Sequence, residues 1–192
     1  AVYSGIDITS ENVARTKQHL GFFGYAPDVQ QGDAENLPFE DNTFDIVYSN
    51  GVLHHVPDIQ KAFKEVHRVL RPGGEFVVLL YNKRSVFYAG VTLIHLLTGA
   101  FLKQTMAERR SKIETTEANA APIVNVYSSK EVAAILASEQ FAIKSIVCRK
   151  CTPEDLPASS KFGAIYKIVP RFIYDTIGRY AGWYLIARAI RP

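Results

Sequence analysis

Several short stretches of this 192-residue sequence carry side chains that do chemistry. Asp7 closes the apolar alternation Ala-Val-Tyr-Ser-Gly-Ile-Asp. A carboxylate at a strand end can accept hydrogen bonds from both hydroxyls of a ribose, or it can cap the helix that follows. Asp33 stands between Gly32 and Ala34, where an aspartate can also simply build a turn. Asn50 and Gly51 end the apolar run Phe44-Asp-Ile-Val-Tyr-Ser49, and His54 and His55 come next. A neutral imidazole can take a proton from a phenol, an enol or an amine. Tyr81 and Asn82 end another apolar run, where they could line a pocket; a tyrosine there also serves as packing with its hydroxyl at the surface. Cys148-Arg-Lys-Cys151 has metal or redox spacing, but no second pair or histidine cluster accompanies it. If the strand persists, positions three apart point to opposite faces, so no metal site is expected.

These residues need elements to position them. Thr9 or Ser10 can cap a helix that has Glu11 in its first turn and Val13 and Leu20 on one face, closed by Gly21. Val29 to Gln31 reads as a short strand, and Phe44 to Ser49 as a more apolar one. From Asp58 the apolar residues Ile59, Ala62, Phe63, Val66, Val69 and Leu70 recur at steps of three and four. Arg68 and Arg71 fall in the last turn, and Pro72-Gly73-Gly74 ends the helix. Glu75 to Tyr81 is again a strand, and this alternation calls for a parallel sheet covered by helices. Ser128-Ser-Lys-Glu131 makes a capping box ahead of a helix through Val132, Ile135 and Leu136. Phe141 to Val147 and Gly182 to Ile190 read as two more strands, joined by the aromatic, basic segment Phe162 to Tyr180.

Composition narrows the class. At 47% apolar, 21% charged and 11% aromatic residues, the chain is a single globular domain with a sizeable core, which excludes disorder, collagen and coiled coil. A net charge of +3 is too small for a nucleic-acid binder. The basic bias is local: from Lys161 onward Lys161, Lys167, Arg171, Arg179, Arg188 and Arg191 face one acid, Asp175. Two cysteines cannot staple a domain of this size and no secretory leader is visible, so a cytoplasmic protein is expected. Val86 to Leu102 is 17 residues without a formal charge, at the short edge of a membrane span; it reads as a buried helix or a lid over an apolar substrate.

Three motifs in order carry a resemblance. Gly32-Asp-Ala-Glu-Asn-Leu-Pro-Phe39, Phe44-Asp-Ile-Val-Tyr-Ser-Asn-Gly-Val-Leu-His-His-Val-Pro-Asp58 and Arg68-Val-Leu-Arg-Pro-Gly-Gly74 resemble class I S-adenosylmethionine-dependent methyltransferases. The likeness is to the small-molecule branch that includes the ubiquinone and menaquinone biosynthesis enzymes. It extends over roughly Val2 to Asn82 and, more loosely, through the last two strands. It implies an α/β Rossmann-like sheet, mostly parallel, with an antiparallel C-terminal strand pair. It further implies a cofactor half over residues 1–82, a helical insertion or lid over 83–127, and a C-terminal helix and strand pair over 128–192.

The same resemblance implies that Asp7 holds the ribose of S-adenosylmethionine, Asp33 and Ala34 its adenine, and Asn50 and Gly51 its methionyl part, with Ile8 also in the cofactor site. S-adenosylhomocysteine would be the product. His55, with His54 second, is then the candidate base for a small apolar or aromatic acceptor lined by Tyr81 and Asn82. Methyl transfer to a good nucleophile also proceeds on in-line positioning and exclusion of water alone.

One departure from the family stands out. Its glycine-rich loop and the central strand before it, which lies between the strands ending at Asp7 and Ser49, are absent. The sequence begins as if inside a strand and reads as truncated. A gap in a sheet leaves backbone groups unpaired at roughly 1–3 kcal/mol each, so an unusual sheet or a homodimer is expected. Two other roles stay open: a cofactor-free remnant serving as a binding or oligomerisation module, and peripheral contact with an anionic membrane through the aromatic, basic tail.

Overall fold

A computed structural model of the chain describes residues 2–26, 28–114, 122–156, 166 and 168–192. Phe162, part of the aromatic tail, and the end of the 83–127 insertion before Pro122 lie outside these residues. The elements run β1 (Ser4–Asp7), α1 (Ser10–Phe22), β2 (Asp28–Gln31), β3 (Phe44–Asn50), α2 (Ile59–Val69), β4 (Leu70–Tyr81), α3 (Val86–Leu97), α4 (Met106–Ile113), α5 (Ser129–Ser138), β5 (Ala142–Arg149), α6 (Arg171–Ala181) and β6 (Tyr184–Ile190).

Local chemistry explains most boundaries. Thr9 caps α1 by accepting from Asn12 N, and Asp58 caps α2 by accepting from Gln60 N and Lys61 N. Ser128 and Glu131 form the expected reciprocal box at α5. Gly21 does not close α1: the helix runs to Phe22, and the chain turns at Gly24, whose φ is +74°. Nor does Pro72-Gly73-Gly74 follow a helix directly. Helix α2 ends at Val69 and β4 starts at Leu70, so the Pro-Gly-Gly sits inside the strand as an irregularity. The partner of Phe44 there is Leu70, and that of Ile46 is already Glu75. Helix α4, with its Thr105–Glu108 capping box, and helix α6 lie where the sequence reads as polar or aromatic connection. α4 has no clear apolar period and buries no residue; α6 does have one, with Tyr174, Ile177, Gly178 and Ala181 at steps of three and four on its covered face.

The strands make two sheets, β1-β2 and β3-β4-β6-β5. β1 with β2 and β3 with β4 are parallel; β6 runs against both β4 and β5. The expectation of a mostly parallel sheet is therefore corrected to a mixed one. β6 enters from α6 at the end where β4 stops, so it must run back along it.

The sheet is also interrupted. Alternate residues of a strand offer their N–H and C=O to opposite neighbours. Gly32 N donates to Asp7 O, and Gly51 N to Leu79 O, so the odd-numbered residues of β1 face β2 and those of β3 face β4. The backbone groups of Ser4 and Ile6, and of Ile46, Tyr48 and Asn50, thus lie on edges with no strand beside them among the described residues. Ile46 and Tyr48 are 63% and 65% exposed. The unusual sheet expected from the sequence is present, and β1 and β3 have not re-paired to close it.

The core sits on one face of the larger sheet. Phe76, Val78 and Leu80 of β4 and Leu185, Ala187 and Ala189 of β6 pack under Ala62, Phe63 and Val66 of α2 and Val132 and Leu136 of α5. Phe63 and Phe76 meet edge to face at 5.1 Å.

Candidate active site

The parallel pairs place their carboxyl ends where an open α/β sheet binds ligands. Asp7 ends β1, Asp33 and Ala34 follow β2, Asn50 and Gly51 end β3, and Tyr81 ends β4. Each of these ends is built locally.

Asp7 Oδ1 accepts from Thr9 N and Thr9 Oγ1, both at 2.9 Å, and from Asn12 Nδ2 at 3.2 Å. Asp7 thus holds the capping residue Thr9 in place and does not itself cap the helix, while Oδ2 keeps only a 3.3 Å contact with Asn12. Ile8, 65% exposed, has its carbonyl held by Gln31 Nε2 at 2.9 Å. Asp33 Oδ1 accepts from Glu35 N at 2.9 Å, the turn role, and Ala34 packs against the core.

Residues that the sequence reading missed hold this loop. Arg68 Nη1 donates to Phe39 O and Asp41 Oδ1, and its Nη2 to Leu37 O. Glu65 grips the same guanidinium at 2.7 Å and accepts from Leu37 N at 2.9 Å. The Arg68 hydrogen bond, outweighing burial, holds the Glu65 carboxyl below the usual range. Glu35 Oε1 accepts from Asp58 N, so the loop carrying Asp33 is fastened to the start of α2 as well. The arginine in the family-like Arg68-Val-Leu-Arg motif was the available signal, but it read as helix-end charge.

The ends of β3 and β4 face an aromatic wall. His54 is fully buried, its ring 4.0 Å from His55 and 3.8 Å from Tyr81. Neither of its ring nitrogens has a hydrogen-bond partner. Burial first, and the charge of His55 second, push its pKa down to about 3, so the ring is neutral. His55 Nδ1 donates to Ile123 O at 2.6 Å. Because a carbonyl can only accept, Nδ1 carries the hydrogen, and the neutral ring keeps its lone pair on Nε2. Tyr81 stacks on Tyr184 at 5.8 Å, and Trp183 stacks on Phe87 at 4.4 Å. Burial, followed by the Glu114 carboxylate, raises the Tyr81 phenol pKa.

Asn82 does not face this wall's open side. It is 2% exposed, its Nδ2 donates to Gly182 O at 2.8 Å and its Oδ1 accepts from Arg84 N at 2.9 Å. Its amide therefore holds the corner at Gly182 and Trp183 in place. The segment Pro122–Tyr127 runs across the strand ends: Asn125 N donates to His54 O, Tyr127 N to Tyr81 O, and Arg110 Nε of α4 to Val124 O. Among the described residues no group of three or more His, Cys, Asp or Glu is placed to hold a metal.

A family model described as a methyltransferase domain matches residues 1–78. Over that stretch the chain is similar to the class I S-adenosylmethionine-dependent methyltransferases.

The matched segment is 41% identical over 76 residues to a phthiotriol/phenolphthiotriol dimycocerosates methyltransferase of Mycobacterium tuberculosis, covering 40% of this chain and 27% of that protein. It is 43% identical over 83 residues to a ubiquinone/menaquinone biosynthesis C-methyltransferase of Haemophilus ducreyi, covering 43% of this chain and 32% of that one. The chain thus spans about a third or less of the length of these relatives. An S-adenosylmethionine-dependent methyltransferase structure from Mesorhizobium loti aligns over 100% of this chain and 81% of its own, with a TM-score of 0.62 at 19% identity, which shows the methyltransferase fold.

The site fits an adenosine-bearing cofactor in part. Asp7 Oδ2 and the loop at Asp33 and Ala34 offer acceptors and a flat backbone at adjacent strand ends, and the buried Ser49 Oγ at the end of β3 lacks a partner. The glycine cradle between β1 and β3 is not in the 192 residues.

Proposed function

We propose that this domain serves methyl transfer from S-adenosylmethionine to a small apolar or aromatic acceptor. Asp7 and Ile8, Asp33 and Ala34, and Asn50 and Gly51 would hold the cofactor, whose sulfonium supplies an electrophilic methyl when bound. What carries the acceptor reading is His55, whose tautomer leaves Nε2 as the basic atom beside the Tyr81, Trp183 and Tyr184 wall. A planar or apolar acceptor lies against such rings, and Nε2 takes its proton as the nucleophile attacks. His54 supports instead of reacting: a ring with a pKa of about 3 is too weak a base near neutrality. The Pro122–Tyr127 strap keeps His55 oriented and shields the strand ends from water.

The cofactor half is tested by calorimetric titration with S-adenosylhomocysteine, with Asp7→Ala beside the native chain. Binding in the micromolar range that Asp7→Ala weakens about tenfold supports it, in line with the loss of charge-assisted hydrogen bonds. No binding by the native chain favours the second reading, a cofactor-free binding or oligomerisation module. That reading draws on the bonds that Asp7 Oδ1 already makes to Thr9 and on the open edges of β1 and β3.

For the acceptor half, His55→Gln is expected to lower labelled methyl transfer by about 10²- to 10⁴-fold with cofactor affinity unchanged. Transfer at the native rate would show that positioning alone suffices.

A further inference from the structure

We propose that α3 docks this protein on an anionic membrane surface. The helix exposes Ala89, Thr92, Leu93, Leu96 and Leu97, a single stripe at steps of three and four, while Tyr88 and His95, seven apart, face inward. Leu93 and Leu96 are each 56% exposed, Leu97 77%, and Leu102 in the turn beyond 78%. The amphipathic pattern is thus inverted: leucines outside, a tyrosine and a histidine inside. This corrects the reading of the segment as a buried helix, and a contiguous exposed apolar ridge of this kind marks an interaction surface. No described helix is long and apolar enough to cross a membrane, so the ridge lies on a bilayer and does not span it.

Charge selects the occupant. From Phe76 to Ala107 the chain carries no Asp or Glu, while Lys83 and Arg84 stand at one end of the ridge and Lys103 at the other. Lys83 pairs with Glu131 across to α5; Arg84 and Lys103 are exposed. A second copy docked ridge to ridge would bring Arg84 and Lys103 of the two copies together, which opposes self-association. An anionic headgroup layer meets apolar side chains and flanking cations together. Helix α6 also exposes aromatic side chains beside cations: Phe172 and Tyr180 are 68% and 80% exposed, next in sequence to Arg171 and Arg179. Trp183, just beyond α6, stacks on Phe87 in the first turn of α3, so both helices converge on the aromatic wall.

Flotation of the full chain with phosphatidylcholine vesicles, with and without about 30% phosphatidylglycerol, tests the assignment. The native chain should float with the anionic vesicles, at least tenfold more weakly with the neutral ones, and less as salt is raised. Leu93→Asp/Leu97→Asp should lower flotation at least tenfold with circular dichroism and melting temperature unchanged, because both positions are already in water. Lys103→Glu should lower it less, and more steeply at low salt than at high. Failure of the native chain to float, or flotation by Leu93→Asp/Leu97→Asp at the native level, overturns the proposal. So does light scattering that shows a native dimer converted to monomer by the double variant, which would give the ridge to a second copy. None of these outcomes depends on cofactor binding or methyl transfer.

Discussion

Gly182→Ala is expected to abolish or nearly abolish folding, with a loss of at least about 3 kcal/mol in urea or thermal denaturation. Gly182 has an ordinary φ of −65°, so the constraint is space and not backbone conformation. A Cβ at this position would overlap the carbonyl oxygens of Arg149 and Gly178. Both are backbone atoms, one at the end of β5 and the other in α6, and neither can swing aside as a side chain would. The surrounding contacts leave no slack: Trp183 N donates to Lys150 O at 2.7 Å, and Asn82 binds the carbonyl of Gly182 itself. Gly178 tightens the same seam, because a Cβ on it would come within 3.3 Å of Cys151 N. Gly21→Ala is the control. That residue lies inside α1 with nothing within 4 Å of a new Cβ, and alanine there should stabilise by about 0.5–1 kcal/mol. A Gly182→Ala protein that melts where the native one does would refute the packing described for β5, β6 and α6.

Stability should also fall as the solution is acidified, and His54 is the reason. In the unfolded chain the imidazole protonates near 6.5; in the folded chain burial lowers that to about 3. Between these values the unfolded state binds more protons, so stability rises with pH. The contribution is complete above the unfolded pKa and is lost progressively as pH falls through the window, at up to about 1.4 kcal/mol per pH unit. His54→Phe keeps a ring between His55 and Tyr81 and removes both unpartnered nitrogens. It should therefore fold at neutral pH as well as the native chain or better, since a buried donor without an acceptor costs about 1–3 kcal/mol. Urea midpoints across the acid range should be flatter for the variant. The carboxylates of Glu65 and Glu131, both held below their usual range, contribute acid sensitivity to the two proteins alike, so the difference between the curves isolates His54. Curves of equal slope would mean that the folded protein admits a proton, or water, at this ring.

Taken by itself, the sequence determined what depends on near neighbours. The caps at Thr9, Asp58 and Ser128, the apolar steps of α2 and the runs that became β3 and β4 are interactions between residues a few positions apart. The same holds for the placing of Asp7, Asp33, Asn50, His55 and Tyr81 at strand ends, since strand-then-loop order is itself local. The tertiary structure decided what depends on distant partners. Asn82 is a brace and not a pocket wall because Gly182, a hundred residues on, arrives beside it. Arg68 is a clamp because the loop from Leu37 to Asp41 folds back across α2. His54 and His55, adjacent in sequence, diverge because one is sealed under Tyr81 while the other meets the carbonyl of Ile123. The leucines of α3 face water for the same kind of reason: periodicity can define a stripe on a helix, but only the elements packed around it decide which stripe is covered.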